Sequence, residues 1–280
     1  MKPARIAVAC LVALLPALAA PAQETRLMAS LKAITAGSDS AHRRDAIAAQ
    51  LEALGIKPVF QPFGEGSAAG ANLVVTFLGT GVKTMVVGAH LDRVSVGRGA
   101  VDNGASCAAL IELAAAIKAM PLTRTTLQIV FFDREEVGLV GSRAFFATAG
   151  RRADYAINMD IFAYGDTIFA TPSHPDGILL RSLKAAAEES GLPVRDVPRN
   201  RYPTSDHITM MNAGFETLGL ALIDAADVDG VLGMGSPGSR PRILTIIHSP
   251  NDTLNEVRPA QVTRGIALVE RLIRAVDRAD

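Results

Sequence analysis

The chain has 280 residues, 28 Lys and Arg against 28 Asp and Glu, and 49% hydrophobic residues. That length holds one large α/β domain with a sizeable core. Balanced charge leaves no basic stripe for nucleic acid and no polybasic patch for a membrane surface, so neither partner is expected.

Residues 1–22 have the pattern of a secretory signal. Lys2 and Arg5 form the charged start, an apolar stretch interrupted by Pro16 follows, and Ala20-Pro21-Ala22 offers a small-residue cleavage site ahead of Gln23. Ala17-Leu18-Ala19 is a second choice. The apolar run is short for a membrane span and no later run is long enough. The expectation is an exported protein, periplasmic or secreted, with no membrane insertion after cleavage. Cleavage leaves 26 basic against 28 acidic residues, and only Cys107 of the two cysteines, which excludes an intrachain disulfide. Cys107 lies in an apolar helix and reads as a small core residue.

The remainder, 23–280, reads as a single domain. Residues 25–54 predict two helices broken at Gly37, the second capped by Ser38 or Ser40 and ended by Gly55. Arg43 and Arg44 are expected to be solvated. Short strands follow at Pro58–Pro62 and Asn72–Leu78, and a buried one at Thr84–His90. An apolar helix then reaches about Met120. Thr126–Asp133 is almost continuously apolar, as a strand buried on both faces should be. Tyr155–Asp160 is another strand, joined by a hairpin-like Tyr164-Gly165-Asp166 turn to Thr167–Thr171. An amphipathic helix at about Gly177–Ser190, a strand near Val194 and an apolar strand at Gly219–Ile223 come next. Residues 224–242 read as the longest loop, either a lid or a surface excursion. Ile243–Ile247 predicts a strand and Pro259–Asp277 a closing helix. The alternation predicts an α/β fold, with a central mixed, mainly parallel β-sheet sandwiched between helices.

The chemistry concentrates in GAHLDRVSVGRGAVDN, residues 88–103. His90 and Asp92 are two apart in an extended segment and point to the same side. One can ligate a metal while the other accepts the free ring N–H. Taken alone, His90 is as readily a core histidine, and Asp102 as readily an N-cap of the following helix. Taken together they need a cation, because two carboxylates buried beside a histidine are costly unless paired. Glu135, Glu136, Asp160 and His248 each follow an expected strand, and in open α/β sheets the functional crevice lies outside the carboxyl ends of the strands. Two histidines and several carboxylates suit Zn²⁺. One metal would use three or four of these groups; five ligands and a spare Glu suit two.

GAHLDRVSVGRGAVDN, FFDREEVGLVGS, NMDIF, SDH and IHSPNDT occur in an order and at spacings that resemble the M28 family of zinc aminopeptidases. That group also contains glutaminyl cyclases and some carboxypeptidases. The resemblance covers roughly Asn72 to the C-terminus. It implies a zinc-exopeptidase-like fold and two Zn²⁺ per chain. By motif, His90 and Asp160 would hold one zinc, Glu136 and His248 the other, and Asp102 would bridge them. Glu135 would be the general base and Asp92 the partner of His90. Asp252 would support His248 or its turn, and the Asp206–His207 pair would be structural or close to substrate. Arg134 departs from the pattern and could pair with Asp133 or narrow the pocket.

The implied function is that of a metallo-exopeptidase, an aminopeptidase hydrolysing N-terminal residues of peptides through a metal-bridged hydroxide. The substrate is a peptide or small amide; the sequence carries no signal for oligomeric state. The alternatives are a carboxypeptidase or amide deacylase, with Arg93, Arg98, Arg201 or Arg240 holding a carboxylate, a glutaminyl-cyclase-like enzyme, or an inactive binding module. Absence of Trp weighs against the cyclase. Intact ligands and base weigh against the module. Phe162, Tyr164, Tyr202 and the 224–242 loop are candidate pocket residues.

Overall fold

A computed structural model of the protein describes residues 20–148, 153–234 and 241–279. The expected signal segment falls outside them up to residue 19, and residues 20–22 open the first helix. In chain order the elements are α1 (Ala20–Ala36), α2 (Ser40–Ala53), β1 (Val59–Phe63), β2 (Gly70–Phe77), β3 (Thr84–His90), α3 (Ala105–Ala119), β4 (Thr126–Phe132), α4 (Val140–Ala147), β5 (Tyr155–Phe162), β6 (Thr167–Pro172), α5 (Ile178–Ser190), β7 (Val194–Asp196), α6 (His207–Asn212), β8 (Glu216–Ile223), α7 (Ala225–Leu232), α8 (Ile243–Ile246) and α9 (Pro259–Ala279).

One mixed sheet of 8 strands runs in the order β1-β2-β4-β3-β5-β8-β6-β7. Its centre, β4-β3-β5-β8, is parallel, while β1–β2, β2–β4 and β6–β8 pair antiparallel. Alternation along the strands divides the core in two. Met85, Val87 and Ala89 of β3 join the apolar residues of α1, α3 and α9, whereas Val86 packs with Val130, Phe132, Phe145 and Met210 on the α4–α6 side. This is the mainly parallel sheet between helices that the alternation predicts.

The topology also fixes where a site can form. Strands β3, β4 and β5 are parallel, so their carboxyl ends share one edge. The chain leaves β3 for β4 on one side and returns to β5 on the other, which opens a crevice between β3 and β5. His90 ends β3, Asp160 lies near the end of β5, and Glu135 and Glu136 follow β4.

Several expectations are corrected. Asp39, not Ser38 or Ser40, caps α2, its side chain accepting from the His42 N–H. Arg43 is fully buried rather than solvated. The turn at Tyr164-Gly165-Asp166 does not close a hairpin, because β8 lies between β5 and β6. Gly165 sits at φ +81°, and a Cβ there would lie 2.1 Å from the Ile223 carbonyl carbon, so only glycine lets the chain pass the end of β8. Residues 225–232 of the expected long loop are helical, and 235–240 lie outside the described residues. The ILTII run is a helical turn, not a strand. Ile243 and Ile246 are buried three apart while Leu244 between them is 50% exposed, a helical rather than an alternating pattern. One later run is in fact long enough to span a membrane: Ala100–Ala119 has 20 residues and mean hydropathy 1.3, but 89% of its most apolar window is buried as the core helix of this fold.

Helix α9 closes the core with Val262, Ile266, Val269, Ile273 and Val276 on one stripe. At its end Asp277 accepts from the backbone N–H groups of Thr123, Arg124 and Thr125 at 3.0, 2.8 and 2.7 Å, tying the helix to the loop that starts β4. Burial works to raise this carboxyl, but those hydrogen bonds overcome it and hold it below its usual value. A depressed folded-state value stabilises the fold above the unfolded pKa and loses that effect as pH falls through the folded one. Asp277→Ala is therefore expected to cost about 2 kcal/mol at neutral pH. The gap between variant and wild-type denaturation midpoints should stay constant down to about pH 4 and close below it.

Candidate metal centre

The side chains gather around Asp102. Its Oδ1 lies 3.2 Å from His90 Nε2, and its Oδ2 lies 3.2 Å from His248 Nε2. Asp160 Oδ1 approaches His90 Nε2 to 3.5 Å on the first side, and Glu136 Oε2 approaches His248 Nε2 to 3.1 Å on the second. One carboxylate thus stands between an imidazole–carboxylate pair on either hand. Ligand atoms of His90, Asp102 and Glu136 all fall within 4.8 Å of one another.

Each of these positions is held by bonds from elsewhere in the chain. The Asp92 carboxylate faces His90 Nδ1 at 3.4 Å, outside hydrogen-bond alignment, and accepts from the N–H groups of Glu135 and Glu136 at 2.9 and 3.1 Å. It therefore fixes the turn that presents the Glu pair and places a carboxylate beside the His90 ring. Asn103 donates to the Met159 carbonyl and accepts from the Ile161 N–H, bracketing Asp160. The Phe162 N–H donates to Ser106 Oγ. Cys107 donates to the His90 carbonyl at 3.1 Å, and burial pushes its thiol up to about 12, so it is the inert core residue expected. The Asp102–Asn103 peptide bond is cis, and Asp102 caps no helix.

Of the two roles expected of Asp252, the turn is the one met: its N–H donates to the Ser249 carbonyl in the turn after His248, while its side chain is committed elsewhere. Its carboxylate accepts from the N–H groups of Val101 and Asp102 at 2.7 and 3.2 Å, and its carbonyl accepts from Arg98 N–H. Arg134 pairs with neither Asp133 nor the pocket; it donates to the Ala69 carbonyl. His248 follows the α8 turn at φ 54° instead of ending a strand, with its side chain 52% exposed. Arg43, Asn103 and Ser106 were not singled out by the sequence. Arg43 had a legible signal, since it stands four and eight residues before the buried Ile47 and Leu51 of α2.

Electrostatics mark the cluster as short of positive charge. Burial pushes Glu135 up to about 9, with Asp160, Asp206 and Glu136 adding to the rise against the opposing pull of His90. Burial and then the Asp102 charge raise Glu136 to about 7. Burial would lower His90, yet Asp160 and Glu135 hold it well above its usual value. The Asp102 hydrogen bond lifts His248 to about 9. Asp102 moves the other way, below the usual carboxylate range, because hydrogen bonds from His248 and His90 outweigh its burial. Glu136 Oε1 and Asp160 Oδ1 are buried with no hydrogen-bond partner. Carboxylate and imidazole donors with unpartnered buried oxygens fit a divalent cation of the Zn²⁺ type.

Beside Asp160 and Ile161 opens an apolar cavity of about 150 Å³, walled by Phe169, Tyr202, Ile223, Val231, Met234 and Ile247 among others. Tyr202 is thus a pocket residue as expected, and α7 supplies another wall. Phe162 and Tyr164 are instead buried in the core. Asp206 and His207 are fully buried behind this wall, and His207 packs edge-on against Tyr202 at 5.3 Å. Burial raises Asp206 to about 7 and lowers His207 to about 4, leaving the imidazole neutral at pH 7.

A probable leucine aminopeptidase of Arthroderma otae is 27% identical over 205 residues, 68% of this chain and 53% of that protein. This chain therefore spans about half the length of that relative. The aminopeptidase LapA of Legionella pneumophila superposes with a TM-score of 0.72 at 18% identity, over 90% of this chain and 71% of its own. A glutaminyl cyclase of Porphyromonas gingivalis superposes with a TM-score of 0.71 at 19% identity, over 93% of this chain and 98% of its own. At such identities the superpositions speak for the fold alone. The profile described as peptidase family M28 matches residues 72–273, a span that includes all seven of the clustered residues from His90 to His248, and the chain belongs to that family.

Proposed function

We propose that the chain is a zinc-dependent aminopeptidase that removes apolar N-terminal residues from peptides. The observation that carries this is the Asp102 carboxylate, with one oxygen toward His90 and Asp160 and the other toward His248 and Glu136. His90 and Asp160 would hold one zinc, Glu136 and His248 a second, and Asp102 both. Bound there, the cations supply the positive charge that polarises a scissile carbonyl and lowers the pKa of an attacking water. Asp92 keeps the Glu pair presented, and beside His90 it would accept the free ring N–H once a cation holds the other nitrogen.

Glu135 is the proposed general base. A buried carboxyl with raised proton affinity can take a proton from water and return it to the leaving amine. Nearby positive charge draws it back toward neutrality, the range in which it can serve both steps. Crowded carboxylates attract a free α-ammonium and repel a C-terminal carboxylate, which favours the amino end over the carboxyl end of a peptide. Two of the four arginines that could serve a carboxypeptidase are engaged elsewhere: Arg93 donates to the carbonyls of Val94, Gly97 and Ser38, and Arg201 to that of Leu232; Arg98 is exposed, and Arg240 lies outside the described residues. The apolar cavity beside Asp160 suits the side chain of the residue being released. Residues 1–22 are the proposed export signal, which places the mature enzyme outside the cytoplasm.

Metal analysis of protein purified without chelator and reconstituted with limiting zinc should return two zinc ions per chain. Leu-initiated peptides should then be hydrolysed, and N-acetylation of the same peptides should abolish the reaction. One zinc with cyclisation of N-terminal Gln would replace the aminopeptidase reading with a cyclase. Glu135→Gln should retain zinc while kcat falls by roughly 10²–10⁴; turnover close to wild type would remove Glu135 from the role. Mass spectrometry of the exported protein should find Gln23 at its N-terminus, and an intact Met1 would refute the signal.

A further inference from the structure

Helices α1 and α2 lie outside the span that the family profile matches, residues 72–273. Yet α2 sends one side chain into the ligand loop. Arg43 is fully buried. Its Nε donates to the Leu91 carbonyl, its Nη1 to that of Arg98 and its Nη2 to that of Gly99, the last two at 3.1 Å. Leu91 lies between His90 and Asp92. Arg98 and Gly99 lie just ahead of Asp102. One guanidinium thus joins both ends of the loop that carries three of the clustered side chains.

The fit is specific to this side chain. Three donors in a rigid planar fork reach three carbonyls, whereas a lysine ammonium is a single point and cannot bridge the same span. The guanidinium also sits against backbone that has no room to spare. A Cβ on Gly99 would come within 3.1 Å of Nη1, and one on Gly104 within 3.3 Å of Nη2. From the segment after α8, Asp252 accepts the Val101 and Asp102 N–H groups. A buried cation therefore holds the loop's carbonyls and a buried anion holds its amides. A buried cation is costly without partners; burial holds Arg43 below its usual value, and the charges of Asp92 and Asp252 offset only part of that cost.

We propose that Arg43 is a positioning residue of the metal centre: by gripping the carbonyls of Leu91, Arg98 and Gly99 it sets His90, Asp92 and Asp102 in their ligating arrangement before any cation binds. The N-terminal helical pair is then a working part of the site and not only a cover for the sheet. This rests on the metal reading proposed above. It differs from a plain stability role in what it predicts, because a stability role alters unfolding and leaves the metal affinity of the folded protein unchanged.

The test compares the full chain with Arg43→Lys and Arg43→Gln. Each is stripped of metal, checked for native near-ultraviolet circular dichroism, and titrated with zinc against a chromophoric chelator well below its unfolding temperature. Both folded variants should bind zinc roughly 10- to 100-fold more weakly at one site or more. Lysine should fail to restore the affinity although it keeps the charge. A folded Arg43→Lys protein with wild-type zinc affinities would overturn the proposal. Wild-type protein that binds no zinc would overturn the metal reading itself, and this inference with it. Hydrogen exchange on wild-type protein needs neither variant to fold. Amides of residues 91–102 should be as slow to exchange without zinc as with it. Fast exchange that only zinc suppresses would mean that the cation orders the loop, and would overturn the proposal.

Discussion

A carboxylate removed from water is stable only when something positive or hydrogen-bonding replaces the solvent it has lost. At the carboxyl edge of this sheet Asp92, Asp102, Glu135, Glu136 and Asp160 converge with only two imidazoles between them. Asp102 stays ionised because both its oxygens face imidazoles. Glu136 faces an imidazole with one oxygen only, and burial outweighs the pull of the histidines on both Glu135 and Glu136, so their proton affinities rise. The whole edge is therefore under electrostatic tension. Cations would remove that tension, and the same shortage of positive charge would draw a substrate ammonium.

Holding like charges together requires a frame that does not yield. Here the frame consists largely of side-chain bonds to the backbone. Asp92 takes the amides of the Glu pair, Asp252 takes those of Val101 and Asp102, and Asn103 brackets Asp160 through Met159 and Ile161. Arg43 supplies the one positive member of the set. Each bond crosses between separate elements, so the cluster is fixed from β3, β4, β5, α2 and the segment after α8 at once. Strand topology brings those elements to one crevice, and the side-chain bonds then set the ligands at close range.

What the sequence made legible follows the same division. Buried parallel strands are continuous apolar runs, so β3, β4 and β5 could be read almost to the residue, and with them the places where His90, Glu135, Glu136 and Asp160 emerge. Features decided by tertiary contact could not be read that way. The ILTII run has strand-forming residues but meets no strand, and its buried positions follow a helical spacing. Strand β6 follows β5 in sequence, yet it pairs with β8, which arrives 44 residues after β6 ends. The charge of Arg43 suggests solvent, although its place on the Ile47–Leu51 stripe points inward. Charge set the expectation where periodicity carried the better information.

A last class of feature leaves no trace in composition. Among the described residues four that are not glycine adopt left-handed backbone conformations: Leu139 at the start of α4, and Arg134, Ile161 and His248 at φ 65°, 56° and 54° around the cluster; the last three bear on the site. Such conformations cost of order 1–3 kcal/mol each and persist only where the surroundings over-determine them. All three stand at the centre: Arg134 precedes Glu135, Ile161 follows Asp160, and His248 is itself in the cluster. Each is also gripped from nearby. Asn72 accepts the Asp133 N–H ahead of Arg134, Asn103 accepts the Ile161 N–H, and Ser249 next to His248 donates to the carbonyls of Thr245 and Ile246. The sharp reversals aim carboxylates and an imidazole into one space that relaxed strand ends would leave open. Glycine at these positions would ease the strain and also loosen the aim. The cost of keeping larger residues there is best understood as the cost of directing like charges at one another without letting them turn away.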